Sequence, residues 1–263
     1  MSRSKSPALS IVLAVYNEES NLDRCLKAVE DLEAEIVVVD GASTDKTVRI
    51  AKEYGARVIE TTNKPIFHIN KQMAINAARG KWVLQLDADE VVDKQLRKSM
   101  RTIVEKNTAY NAFYLKRKNY FMGAFLKKGG QYPDPVIRFF RRSKAYLPQK
   151  DVHEQMVVEG EVGVLAGHLL HYNAPTFYRY IQNANRYTSL TANKLHQEKV
   201  VLNWVNDMRY LIWKPGVTFV NLFWRHRGYV DGFRGFVFAL FSGLHHALAY
   251  MKLADIYRHE SSH

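Results

Sequence analysis

At 263 residues, with 47% apolar and 24% charged residues, the chain can bury a sizeable core as one domain with an appendage, which excludes a disordered tail or a small disulfide-stapled module. Its one cysteine, Cys25, rules out an intrachain disulfide framework and fits a reducing compartment, and the polar, basic Met1 to Pro7 has no apolar segment of a signal peptide. The net charge of +12 is unevenly placed: residues 1–95 hold 13 Lys/Arg against 15 Asp/Glu, and residues 96–263 hold 25 against 11. The excess suits a phosphate-rich partner, anionic lipid or nucleic acid, or it solvates a face.

Leu9 to Val15 is a continuous apolar run of strand length, and the turn Asn17-Glu18-Glu19-Ser20 can cap a helix through Cys25, Leu26 and Val29. Glu35 to Val39 reads as a second buried strand. It runs into Asp40-Gly41-Ala42-Ser43-Thr44-Asp45, a turn glycine and then caps for a helix through Val48, Ile50 and Ala51. Arg57 to Glu60 is a short third strand, Ile69 to Ala78 a helix stopped by Gly80, and Lys81 to Leu86 a fourth strand. Strands apolar on both faces and joined by helices predict an α/β fold around a parallel sheet with right-handed crossovers. Ligands of such sheets bind beyond the carboxyl ends of the strands, where Asn17-Glu18, Asp40 and Asp87-Ala88-Asp89 all fall.

The fourth strand runs straight into Asp87-Ala88-Asp89-Glu90, three carboxylates with one alanine among them. Grouped carboxylates repel each other and lose hydration beside a core. A divalent cation relieves the conflict, because Mn2+ or Mg2+ takes oxygen ligands and holds phosphate as well. The plainer reading is a solvated strand end, with Asp93 as N-cap of a helix over Lys94 to Glu105.

These blocks, with others downstream, resemble family 2 glycosyltransferases of the nucleotide-binding GT-A fold, and among them the bacterial lipopolysaccharide-core β-glucosyltransferase branch. The matching residues are Leu9-Ser10-Ile11-Val12, Tyr16-Asn17-Glu18-Glu19, Val37 to Asp45, Lys71, Trp82 to Glu90, Gly129 to Asp134, Arg138 to Arg142, and Val152-His153-Glu154. Gln131 departs from the pattern, standing where that branch favours tryptophan. The resemblance implies a Rossmann-like mixed sheet flanked by helices: a nucleotide-sugar-binding half over residues 1–95, an acceptor-binding half over 96–198, and a helical extension over 199–263.

It also implies an inverting transfer from a nucleotide-diphosphate sugar, UDP-linked by preference, to a hydroxyl of a lipid-linked or lipopolysaccharide-type saccharide. Asp40 would accept from a nucleobase N–H, with Tyr16, Asn17 and Glu18 lining base or ribose, or serving as a structural turn. Asp89 would ligate Mn2+ or Mg2+, Asp87 would hold the ribose or the metal, and the cation would offset charge on the leaving diphosphate. Lys71 and Arg138 are candidate phosphate clamps, unless they are solvated. Glu154 is the expected general base, with His153 orienting it or touching the sugar, and Asp134 is its rival. His171 completes the metal sphere or is a core histidine.

Val200 to Trp224 is rich in aromatic residues, interleaved with Arg209, Lys214 and an expected break at Pro215-Gly216. Phe233, Phe236, Val237, Leu240, Phe241, Leu244, Leu248 and Met251 then recur at helical spacing, in a stretch uncharged from Gly235 to Met251. That stripe suits ordinary core, a homodimer interface, or a helix lying on an anionic membrane surface, which would place the chain on the inner face of the cytoplasmic membrane. Two other classes compete. A nucleic-acid-binding module explains the charge, but the basic residues are dispersed without a recognition helix, so no nucleic acid is expected. A nucleotidyltransferase would carry a basic Gly-rich loop where this chain has Tyr16-Asn17-Glu18-Glu19.

Overall fold

The computed structural model describes residues 7–64, 66–106, 108–148 and 155–261. The chain opens with β1 (Leu9–Val15), α1 (Leu22–Lys27), β2 (Glu35–Asp40), α2 (Thr47–Glu53), β3 (Arg57–Glu60), α3 (Phe67–Ala77) and β4 (Trp82–Leu86). It continues through β5 (Glu90–Val92), α4 (Lys94–Glu105), β6 (Ala112–Phe121), β7 (Ala124–Phe125), β8 (Asp134–Arg141), β9 (Ala145–Tyr146), β10 (Val157–Val158) and β11 (Val162–Ala174). The large sheet has the order β3-β2-β1-β4-β8-β6-β11-β5, with β7 paired to β6. β1 runs parallel to β2 and β4, and β2 to β3, whereas the β4–β8 and β5–β11 pairs are antiparallel. The sheet is therefore mixed, and its four parallel strands lie within one residue of the expected bounds. α1 stops at Lys27, and a 3-10 turn over Glu30–Leu32 takes the place of its expected last turn at Val29.

Contacts divide the chain into two compact units, Met1–Arg117 with Pro135–His171, and Lys118–Asp134 with Tyr172–His263. In the first, alternate strand residues face two separate cores, as the period of two requires. Ile11, Leu13, Leu84 and Leu86 pack with Leu22 and Leu26 of α1 and Leu96 and Met100 of α4. Val12, Val37, Val39 and Val83 pack with Ala74, Ile75 and Ala78 at α3. Two covered faces explain why these strands read as unbroken apolar runs. They also leave the strand ends as the place where polar side chains collect.

The second unit is mainly helical. It holds α5 (Phe177–Gln197), α6 (Trp204–Asp207), α7 (Lys214–Val220) and α8 (Gly232–Ser261), with π-helical turns over Met208–Trp213 and Asn221–Arg225. α8 packs on α5 and α7, and its core holds Leu195, Tyr210, Ala249, Tyr250 and Leu253. Within it, Gly228–Glu260 is long and apolar enough to cross a bilayer, by length and composition. Pro215-Gly216 is no break: the backbone stays helical from Trp204 to Arg225. The π turn before Pro215 is bonded i to i+5, which accommodates a ring that lacks an N–H and crowds the preceding turn.

Candidate active site

Parallel register brings three strand ends level. Val15 of β1 stands beside Asp40 of β2, and Leu13 beside Leu86 of β4, so residues 16–18, 40–45 and 87–90 emerge along one edge. The first two segments lock together. Asn17 sits at φ 52°, its amide donates to Ser43 Oγ at 2.8 Å, and its side-chain oxygen accepts from the Thr44 amide at 2.8 Å. The Glu18 amide donates to Thr47 Oγ1 at 2.7 Å, and Glu18 Oε2 accepts from Asn21 Nδ2 at 2.8 Å. Asn17 and Glu18 thus shape the edge as turn residues, while the Tyr16 ring stands exposed beside them. Asp40 is buried: its Oδ2 accepts from the Ser43 amide at 2.9 Å, and its Oδ1 has no partner. An orphaned buried carboxylate oxygen is costly unless a ligand donates to it.

The acidic segment divides into two parts. Asp87 is gripped by two cations, with Lys71 Nζ at 2.5 Å from Oδ1 and Arg138 Nη2 at 2.6 Å from Oδ2. Burial alone would raise its pKa, but the charges of Arg138 and Lys71 outweigh that and hold it well below the usual carboxylate range. Burial likewise works against the Arg138 charge, yet Asp87 and Glu90 raise its pKa still further. Glu90, fully buried, accepts from the Asp87 amide at 3.0 Å, from Arg138 at 3.2 Å and from Arg117 at 3.5 Å. Gln85, the one polar residue inside β4, accepts from Arg138 and donates to Asp87 at 3.2 Å. Lys71 and Arg138 therefore hold Asp87, whereas Asp89, about equally exposed, meets a histidine instead. β5 pairs with β11 so that His171 lies opposite Glu90, and this brings His171 Nε2 to 3.4 Å from Asp89 Oδ2.

No group of three His, Cys, Asp or Glu able to hold a metal comes together among the described residues. Asp89 with His171 nevertheless fits a cation that takes one or two protein ligands and completes its sphere with substrate phosphates and water. Glu154 and His153 lie outside the described residues. Asp134, in the second unit, accepts from Asn119 Nδ2 at 2.9 Å, and the same amide donates to the Gln131 carbonyl at 3.2 Å. Glu90, Gln85 and Arg117 were not among the expected site residues. Gln85 carried a signal, a polar side chain within an apolar strand.

The family model for Glycosyl transferase family 2 matches residues 10–158, more than half of the chain and the whole of the edge just described. The chain belongs to glycosyltransferase family 2. As a family 2 transferase it is an enzyme, so the readings as a nucleic-acid- or membrane-binding protein without transferase activity, and as a nucleotidyltransferase, fall away. It is similar to the lipopolysaccharide core biosynthesis glycosyltransferase LpsC of Rhizobium meliloti, 29% identical over 261 residues that span 95% of this chain and 92% of that protein. An uncharacterized glycosyltransferase of Rickettsia typhi is 27% identical over 94% of this chain and 87% of its own length. Among solved structures, Staphylococcus aureus TarS 1-349 aligns at a TM-score of 0.47 and 16% identity, over 95% of this chain and 89% of that one. Glucosyl-3-phosphoglycerate synthase of Mycobacterium tuberculosis aligns at 0.49 and 15%, over 75% and 82%. The mixed sheet with flanking helices and a helical C-terminal part is the GT-A class that the sequence blocks imply.

Proposed function

We propose that the enzyme transfers a hexose, with inversion, from a nucleotide-diphosphate sugar to a hydroxyl of a lipopolysaccharide-type or lipid-linked saccharide. The observation that carries the donor half is Asp40 Oδ1, a buried acceptor without a partner at the edge where the acidic segment also ends. A base with an imide or amide N–H, such as uracil, would complete it. The Asn17 and Ser43 loops would frame the ribose, with Tyr16 available to stack on the base. The acceptor class rests on the likeness to LpsC.

Asp89 and His171 would hold Mn2+ or Mg2+, which when bound supplies positive charge against the negative charge growing on the leaving diphosphate. Lys71 and Arg138 fix Asp87, and Glu90 and Gln85 hold Arg138, which braces the acidic segment. Transfer needs a carboxylate across the sugar from the diphosphate. Glu154 fills that role in this reading: it takes the proton of the acceptor hydroxyl as that oxygen bonds to the anomeric carbon and the sugar–phosphate bond breaks on the opposite face. His153 would orient it, and Asp134 remains the rival base.

The test is a panel of UDP-, GDP- and ADP-sugars with Mn2+ or Mg2+, read as thermal stabilisation and nucleotide release. Stabilisation by one nucleotide family, lost in Asp40→Asn, is the expected result. Equal responses to every nucleotide, unchanged in that variant, would refute the donor assignment.

A further inference from the structure

Between Trp204 and Arg225 the second unit carries a continuous helical run in which α6 and α7 alternate with two π-helical turns. On a regular 3.6-residue helix a four-residue repeat drifts by about 40° per step, which would spread residues 204 to 224 around roughly half the circumference. The wider π turns, bonded i to i+5, take up that drift. Trp204, Met208, Ile212, Val220 and Trp224 of this four-residue repeat are all exposed, at 76%, 51%, 60%, 51% and 61%. The next row is Val205, Arg209, Trp213, Val217 and Arg225, also exposed. The inward side is settled: Tyr210 is buried and stacks on Tyr250 at 5.0 Å, and Phe219 and Phe223 lie edge-on to Phe236.

The charge on this face indicates what covers it. Arg209, Arg225 and Arg227 are exposed beside the apolar row. The nearby carboxylates are already engaged within the unit, Asp207, itself exposed, accepting from the Tyr250 hydroxyl at 2.8 Å and Asp231 from the amides of Lys127 and Lys128 at 2.9 and 2.8 Å. A second copy of the chain meeting this face about a two-fold axis would bring Arg209, Arg225 and Arg227 toward their own copies, with Asp207 as the one exposed carboxylate of the helix and that one already bonded to Tyr250. An anionic bilayer supplies the missing charge at the headgroups and a medium for the tryptophans just below.

We infer that the Trp204–Arg225 helix lies in the interface of an anionic membrane, its Trp204-to-Trp224 row in the acyl boundary and its arginines among the lipid phosphates. This relocates the expected interfacial element: the α8 stripe is uncharged from Gly235 to Met251 and is partly taken up by packing on α5 and α7. The inference stands apart from the donor and acceptor assignment, because its readout needs no sugar transfer.

The experiment is flotation of the full chain with vesicles of phosphatidylcholine alone and of equal parts phosphatidylcholine and phosphatidylglycerol, with tryptophan emission followed in parallel. The wild type should float with the anionic vesicles and shift its emission to the blue, more weakly at high salt. Trp204→Ala/Trp224→Ala should lose about tenfold or more of that partitioning, and Arg209→Gln/Arg225→Gln its preference for anionic lipid. All four side chains are exposed, so both variants should keep the wild-type melting transition, which is measured alongside. Absence of wild-type binding to anionic vesicles, or binding unchanged in the folded tryptophan variant, would overturn the inference. So would a soluble dimer that the tryptophan variant converts to monomer without any vesicle binding.

Discussion

Asp87 and Asp89 stand two residues apart and meet opposite surroundings. Asp87 lies between Lys71 and Arg138, and Asp89 faces His171. Asp89→Asn should therefore fold normally yet lose metal-dependent nucleotide-sugar binding and turnover. Near wild-type transfer with unchanged metal dependence would remove Asp89 from the metal site. Asp87→Asn should instead cost stability, about 3 kcal/mol, because the buried Lys71 loses its carboxylate and Arg138 keeps only Glu90 of its two. Its pH dependence has a definite sign. The folded carboxyl is held below its unfolded value of about 3.9, so its contribution is complete above that pH and is lost as pH falls toward the folded value. Melting curves of wild type and Asp87→Asn should accordingly differ most near neutrality and converge in strong acid. Glu154→Gln is expected to leave donor affinity nearly intact and lower transfer on the order of a hundredfold. If Asp134→Asn gives that pattern instead, measured as separate kcat and KM effects, the two carboxylates exchange roles.

Between elements, two glycines mark approaches that no side chain fits. Gly167 in β11 has φ +104°, and a Cβ there would overlap the backbone of Leu96 at the start of α4. Gly167→Ala should lower stability by about 2–3 kcal/mol, read from denaturant midpoints, and a neutral result would mean that α4 can shift. Gly243 lets α8 approach α7, where a Cβ would stand 2.6 Å from the Pro215 carbonyl oxygen. The helix that Pro215 interrupts in sequence is continuous in space because π turns flank it, and a propensity argument has no access to that. The Asp93 cap was legible: Asp93 accepts from the Leu96 amide at 2.7 Å, at the start of the helix expected over Lys94 to Glu105. Capping needs only residues a few positions apart, so local sequence contains it.

For the whole molecule, a ligand that binds only the folded enzyme must raise its stability, by about 2.7 kcal/mol at a hundred times its Kd. A nucleoside diphosphate together with Mn2+ should raise the melting temperature more than either alone, and Asp89→Asn should abolish the synergy but not the effect of nucleotide by itself. Equal shifts in the variant would place the cation elsewhere. The sequence by itself determined the parallel half of the sheet, since strands buried on both faces must be apolar throughout, and it placed Asn17, Asp40 and Asp87 at one edge, since parallel strands end together. How those residues are held there depends on long-range pairing. Strand β8 delivers Arg138 to Asp87, and the β5–β11 register sets His171 beside Asp89, contacts separated by about 50 and 80 positions that no local pattern encodes. The exposed tryptophans likewise follow from a folded backbone in which π turns alternate with α-helix and from its packing against α8, rather than from spacing along the chain.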